Sequence, residues 1–185
     1  MNRVGAAVLV ALGVWSSVAA CSGEDNAEPR PDRGAAALTT RLESVDQVAG
    51  WVAEKAGECT GVTAEKPADL RAFVGSDIAA LYEPFVSEWA TCAVSPEYPK
   101  VALLVFGGDR QQQFQRSWRQ AMTEGGVEDG PTFAFGNGFA VSAGFLGVSA
   151  LDLFYFRCDY ADAAVPQVPA DVEGCVFADP EHGHH

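Results

Sequence analysis

Three sets of residues in this 185-residue chain could do chemistry. Asp152, Asp159 and Asp162 lie in or just after an aromatic segment, and two carboxylates at a suitable distance can hydrolyse a glycosidic bond. His182, His184 and His185, with Asp179 and Glu181 beside them, could loosely chelate zinc, nickel or copper. Arg110, Arg116 and Arg119 on one helical segment could meet a phosphate group. Each set has a plainer reading. Carboxylates are common in a chain with 25 acidic residues, where they form a solvated face. The histidines sit in a flexible tail over 179–185, and the arginines on an acidic protein solvate a helix face or pair with carboxylates. We therefore assign no catalytic residue, no metal ligand and no cofactor from the sequence.

What the sequence lacks restricts the chemistry further. All three histidines lie at the C-terminal end, so the body of the chain has no imidazole for a Ser-His-Asp or Cys-His arrangement. It has no H-E-x-x-H helix and no G-x-x-x-x-G-K-[ST] loop, and Gly136-Asn137-Gly138 does not continue into a dinucleotide fingerprint. A net charge of −13 and a pI near 4.4 exclude sequence-independent binding to nucleic acid, which needs a basic face.

The N-terminus carries an address. Arg3 is followed by an apolar run over Val4–Val14, then Ser16-Ser17 and small residues, the pattern of a secretory signal over 1–20. The run is shorter than the ~20 apolar residues of a membrane-spanning helix. Val18-Ala19-Ala20-Cys21 resembles the lipobox of bacterial lipoproteins. That resemblance implies diacylglyceryl transfer to the Cys21 sulfur, cleavage before it, and anchoring by acyl chains such as palmitate on the outer face of the cytoplasmic membrane. Residues 21–40 hold Glu24, Asp25, Glu28, Asp32, Pro29 and Pro31 with little apolar material, so they read as a flexible tether reaching roughly 20–25 Å. Nine arginines against three lysines and a single isoleucine, Ile78, reflect GC-rich codons, and the chain resembles lipoproteins of high-GC actinobacteria in this respect.

Setting Cys21 aside leaves Cys59, Cys92, Cys158 and Cys175, an even number in an exported domain and hence two disulfides. Three connectivities are possible. Cys59–Cys92 and Cys158–Cys175 are expected because each joins segments flanking one local unit. No two of these cysteines have C-x-x-C spacing and no histidine falls between them, which argues against zinc.

The elements that position these residues form one domain over 41–178. Thr40-x-x-Glu43 has the form of a capping box, and Leu42, Val45, Ala49, Val52 and Ala56 make one apolar stripe on a helix over 41–56 ended by Gly57, with Trp51 bordering it. Short helices follow over 67–73 and 76–82, broken at Gly75 and Pro84. Strands are expected over 89–94 and 101–106, then a helix capped by Asp109 and stopped by Gly125-Gly126. On it Phe114, Trp118, Ala121 and Met122 face inward, while five glutamines and the arginines fill the other faces. A hairpin over 132–142 turning at Asn137-Gly138, and an aromatic strand over 151–157, complete the pattern. The expected fold is α+β, an antiparallel sheet of four to five strands with helices packed on one face.

The function expected from these features is that of a non-catalytic, membrane-anchored binding or regulatory module with a protein partner in the envelope. A small-ligand or cation receptor using the aromatic and glycine-rich surface of 133–156 is the alternative, and a carboxylate-dependent hydrolase the second alternative. The anchor gives the first test. Cys21→Ala should block lipid labelling and lipoprotein-type cleavage, and mass spectrometry finding a free Cys21 thiol in the native protein would refute it.

Overall fold

An unbroken apolar run such as Val101–Phe106 can be buried only if something covers both of its faces. The computed structural model describes residues 38–127, 133–142, 146, 150–162 and 165–178. The signal segment, Cys21, most of the tether and the histidine tail lie outside these. In chain order the elements are α1 (Val45–Ala56), β1 (Thr60–Ala64), α2 (Pro67–Val74), α3 (Ser76–Tyr82), β2 (Val86–Ala93), β3 (Val101–Phe106), α4 (Arg110–Thr123), β4 (Ala134–Phe135), β5 (Phe139–Val141), β6 (Phe154–Cys158), β7 (Gln167–Pro169) and β8 (Cys175–Ala178). All strands join one antiparallel sheet of order β1-β2-β3-β5-β4-β6-β8-β7.

All six residues of β3 are buried. Successive side chains point to opposite faces of a strand, so Val101, Leu103 and Val105 join one core while Ala102, Leu104 and Phe106 join the other. Val48, Ala49 and Val52 of α1 cover the first face. The second face is covered by Leu70 of α2, Ala79 and Tyr82 of α3, and Phe114 and Trp118 of α4. The helices thus lie on both faces, which corrects the expectation of one.

The α+β class with an antiparallel sheet holds, but the sheet has eight strands rather than four or five. The extra strands are the ones whose sequence carries no alternation. They are β1, whose five residues are all exposed, β7 with three residues and β8 with four. Such segments become strands through pairing with neighbours.

The helix starts also differ. Ser44, not Thr40, caps α1, accepting a hydrogen bond from Gln47 N at 3.3 Å. Residues 41–42 instead run extended beside the β4–β5 turn, where Leu42 N donates to Asn137 O at 3.1 Å. Tertiary pairing has displaced the earlier cap. Asp109 stands at the N-cap of α4, but its side chain makes no capping hydrogen bond. Gly57 ends α1 as expected, in the left-handed conformation with its N–H on Ala53 O.

Both disulfides join the expected partners, Cys59 to Cys92 and Cys158 to Cys175. The second pair stands directly opposite in the β6–β8 ladder, fastening the last hairpin to the sheet. Tyr82 is the centre of the second core. Its ring lies 4.6 Å from Phe114, 4.8 Å from Phe133 and 6.0 Å from Trp118 by centroids. Burial pushes its phenol well above the ordinary value.

Two outcomes follow. Replacing Cys158 and Cys175 together by alanine opens a loop of 17 residues and should lower unfolding free energy by about 3 kcal/mol in urea titration, by the chain-entropy relation. The folded chain also keeps the Tyr82 proton that the unfolded chain releases above pH about 10, so this contribution is complete below that pH and lost as pH rises past it. Tyr82→Phe should flatten the alkaline loss of stability, and an unchanged alkaline slope would count against the assignment.

Candidate functional site

Helix α4 presents Gln111, Phe114, Gln115 and Trp118 inward, at steps of three and four residues. The two aromatic side chains enter the second core. The two glutamines, 8% and 2% exposed, face the end of the sheet, where each is held by a pair of hydrogen bonds.

Gln111 clamps the β4–β5 turn. Its Nε2 donates to Gly136 O at 2.8 Å, and its Oε1 accepts from Gly138 N at 2.6 Å. Gly136 N donates to Phe139 O at 3.0 Å, so Asn137-Gly138 is the two-residue connection that the sequence suggested. Only Gly138 has positive φ, at 83°, so the turn is not the fully left-handed form that Asn-Gly pairs favour. A Cβ on Gly136 would sit 2.2 Å from the Phe139 ring, and one on Gly138 2.8 Å from Leu42 O. The glycines therefore permit both the turn and its close contacts.

Gln115 clamps the β7–β8 connection in the same manner. Its Oε1 accepts from Asp171 N at 3.1 Å and its Nε2 donates to Asp171 Oδ2 at 3.4 Å. Between the two clamps lies a cleft of about 300 Å³, lined by Leu38, Gln111, Gln115, Gly136, Asn137, Val168, Pro169, Asp171 and Phe177. Its polar groups are amides and one carboxylate, and its apolar wall comes from the β7–β8 hairpin and Leu38. A smaller crevice of about 60 Å³ near Glu65, Glu83 and Trp89 has room for little more than water. Among the described residues no cluster of histidine, cysteine, aspartate and glutamate could hold a metal ion.

Of the residues singled out from the sequence, the structure joins Arg119 to Asp159 and leaves Asp152 at the other end of β6. Asp152 precedes β6 and Asp159 follows it, so at strand rise they lie roughly 20 Å apart, beyond the ~5–10 Å that glycoside hydrolysis needs. Asp159 is ion-paired with Arg119. Asp162 lies in the following connection, where its carbonyl accepts from Val165 N at 3.4 Å. Arg119 thus meets a carboxylate of its own chain, while Arg110 and Arg116 are exposed on the outer side of α4. The described aromatic side chains of 133–156 are core: Phe133, Phe135, Phe139, Phe154, Tyr155 and Phe156 are all buried. From that stretch Gly136 and Asn137 reach the cleft.

Sequence reading passed over the cleft because it treated the glutamines as outer-face residues. The available signal was their placement at i and i+4 on the same face as Phe114 and Trp118. Asp171 had no such signal, since its position depends on β7–β8 pairing. Comparison with known protein families, with curated proteins and with solved structures finds no match, so the site rests on its own chemistry.

The Gln111 clamp has a chemical consequence. Asn-Gly pairs lose ammonia when the glycine nitrogen attacks the asparagine amide carbon, closing a succinimide. Here the Gly138 nitrogen is engaged by Gln111 Oε1. Gln111→Ala should speed conversion of Asn137 at mildly alkaline pH, read by peptide mass spectrometry. Gln111→Glu, which keeps the acceptor oxygen, should stay nearer the wild-type rate. Equal rates in all three proteins would mean that Gln111 does not protect the turn.

Proposed function

We propose that this chain is a non-catalytic lipoprotein of the cell envelope, held by a lipid on Cys21 at the outer face of the cytoplasmic membrane. In this reading its folded domain is a binding module that works through the cleft between α4 and the β7–β8 hairpin. The observation that carries the reading is the doubly clamped cleft itself. Gln111 and Gln115 are fixed on a helix by packing and by paired hydrogen bonds, so their remaining hydrogen-bonding capacity is preorganised.

Two disulfides support an extracytoplasmic location, because they persist outside the reducing cytosol. Among the described residues no helix is long and apolar enough to cross a membrane, and Cys21 supplies the attachment in this reading. Asp152 and Asp159 are too far apart to act as a hydrolytic pair, which turns the choice toward binding.

A second reading, docking of an envelope protein, has one observation in its favour. Strand β1 is exposed along its length, and its Val62, at 42%, is the exposed large hydrophobic among the described residues. The ladder is irregular between Thr60 and Thr63, so such a contact would use side chains rather than strand addition.

A thermal-shift panel separates the two. The detergent-solubilised lipoprotein, screened against metals, sugars and cationic peptides, should gain melting temperature with one ligand class, and Asp171→Ala should abolish the gain. A flat panel, with a stoichiometric protein captured from solubilised membranes and lost on Val62→Glu, would replace the cleft by the β1 surface.

A further inference from the structure

We infer that the cleft takes a neutral, polyhydroxylated ligand, a sugar of one or two rings. The inference rests on the binding-module reading and names the ligand class of that site.

Each clamping glutamine has hydrogen-bonding capacity left over. One Nε2 proton and one Oε1 lone pair of Gln111 are used on Gly136 and Gly138, and one of each of Gln115 on Asp171. The second proton and second lone pair of each amide remain. The Asn137 amide lines the same space, and the Asp171 carboxylate has further lone pairs. The cleft therefore offers donors and acceptors together, held by a rigid helix and two tied turns. A hydroxyl is both donor and acceptor, and neighbouring ring hydroxyls match planar amides that present both. Val168 and Pro169 on the hairpin side give an apolar wall for the C–H face of a ring.

The other ligand classes fit less well. Among the described residues no arginine, lysine or histidine lines the cleft, and Asp171 does, on a chain of net charge −13. Sugar phosphates and carboxylates would meet uncompensated negative charge. A purely apolar ligand would leave the spare donor and acceptor of each amide, and the Asp171 carboxylate, desolvated without a partner. A quaternary ammonium ion is held by several aromatic faces, whereas among the described residues Phe177 is the one aromatic lining residue and is 6% exposed. The volume of about 300 Å³ is at the lower end for small-molecule sites, which limits the occupant to a compact molecule.

The experiment is ligand-observed saturation-transfer NMR on the detergent-solubilised lipoprotein. The probes are glucose, maltose and N-acetylglucosamine, against glucose 6-phosphate, glucuronate and tetramethylammonium. At least one neutral sugar should receive saturation and both anions should not. Asp171→Ala and Asn137→Ala, each verified as folded by its melting curve, should weaken that sugar about tenfold, as expected for loss of a hydrogen bond to a ligand. Binding confined to an anion or to tetramethylammonium and sensitive to Asp171→Ala would overturn the sugar assignment and keep the cleft as the binding site. Sugar binding indifferent to both substitutions would overturn the site. No binding by any probe would overturn the sugar assignment, and the module reading is then decided separately by the wider thermal-shift panel and the Val62 capture.

Discussion

A strand buried on both faces imposes the architecture of this protein. Val101–Phe106 has no solvent side, so one set of alternate residues needs α1 and the other needs α2, α3 and α4. Each helix supplies an apolar stripe that would be unstable in water alone, and the sheet between them is what those stripes share. The chain order follows from this. The segment before β1 must reach one face, and the segments flanking β2 and β3 must return to the other.

The second face differs from the first in being aromatic. Phe114 and Phe135 lie in ring contact with each other, with Tyr82 and with Phe156. On the inward side of α4 the amides Gln111 and Gln115 interleave with the aromatic Phe114 and Trp118. Gln111 and Gln115 tie the β4–β5 turn and the β7–β8 connection to α4 without filling the space between them, and the cleft is the space left. The fixed orientation of the amides comes from the same helix packing that closes the core. Site and core therefore share one cause.

Both sheet edges are modified in ways that discourage strand addition. At one edge the register of β1 shifts between Thr60 and Thr63, with Gly61 at φ 64°. At the other, β7 ends at Pro169, which lacks an N–H to offer. The Cys158–Cys175 bridge holds the β7–β8 hairpin against β6, and with it one wall of the cleft.

Whatever depends on spacing along the chain was legible in the sequence: the disulfide partners, the helix stop at Gly57, the breaks at Gly75 and Pro84, the Asn137-Gly138 turn, the buried run at 101–106 and the α+β class. These features arise from local backbone preference, short loop closure or hydrophobic period, all of which a linear pattern records. Other features depended on which segments meet. Strand β1 is exposed along its length, β7 and β8 are too short to carry a period, and the capping role moved from Thr40 to Ser44 because residues 41–42 pair with the turn at 137. Asp159 found Arg119, 40 residues away, as an ion-pair partner that no local spacing announces. The spacing of Gln111 and Gln115 puts them on the inward face of α4, but it does not tell which turn will receive their hydrogen bonds. That choice is made by long-range packing, where an amide buried beside the free backbone groups of a turn must satisfy them, and so tertiary structure alone decided the cleft.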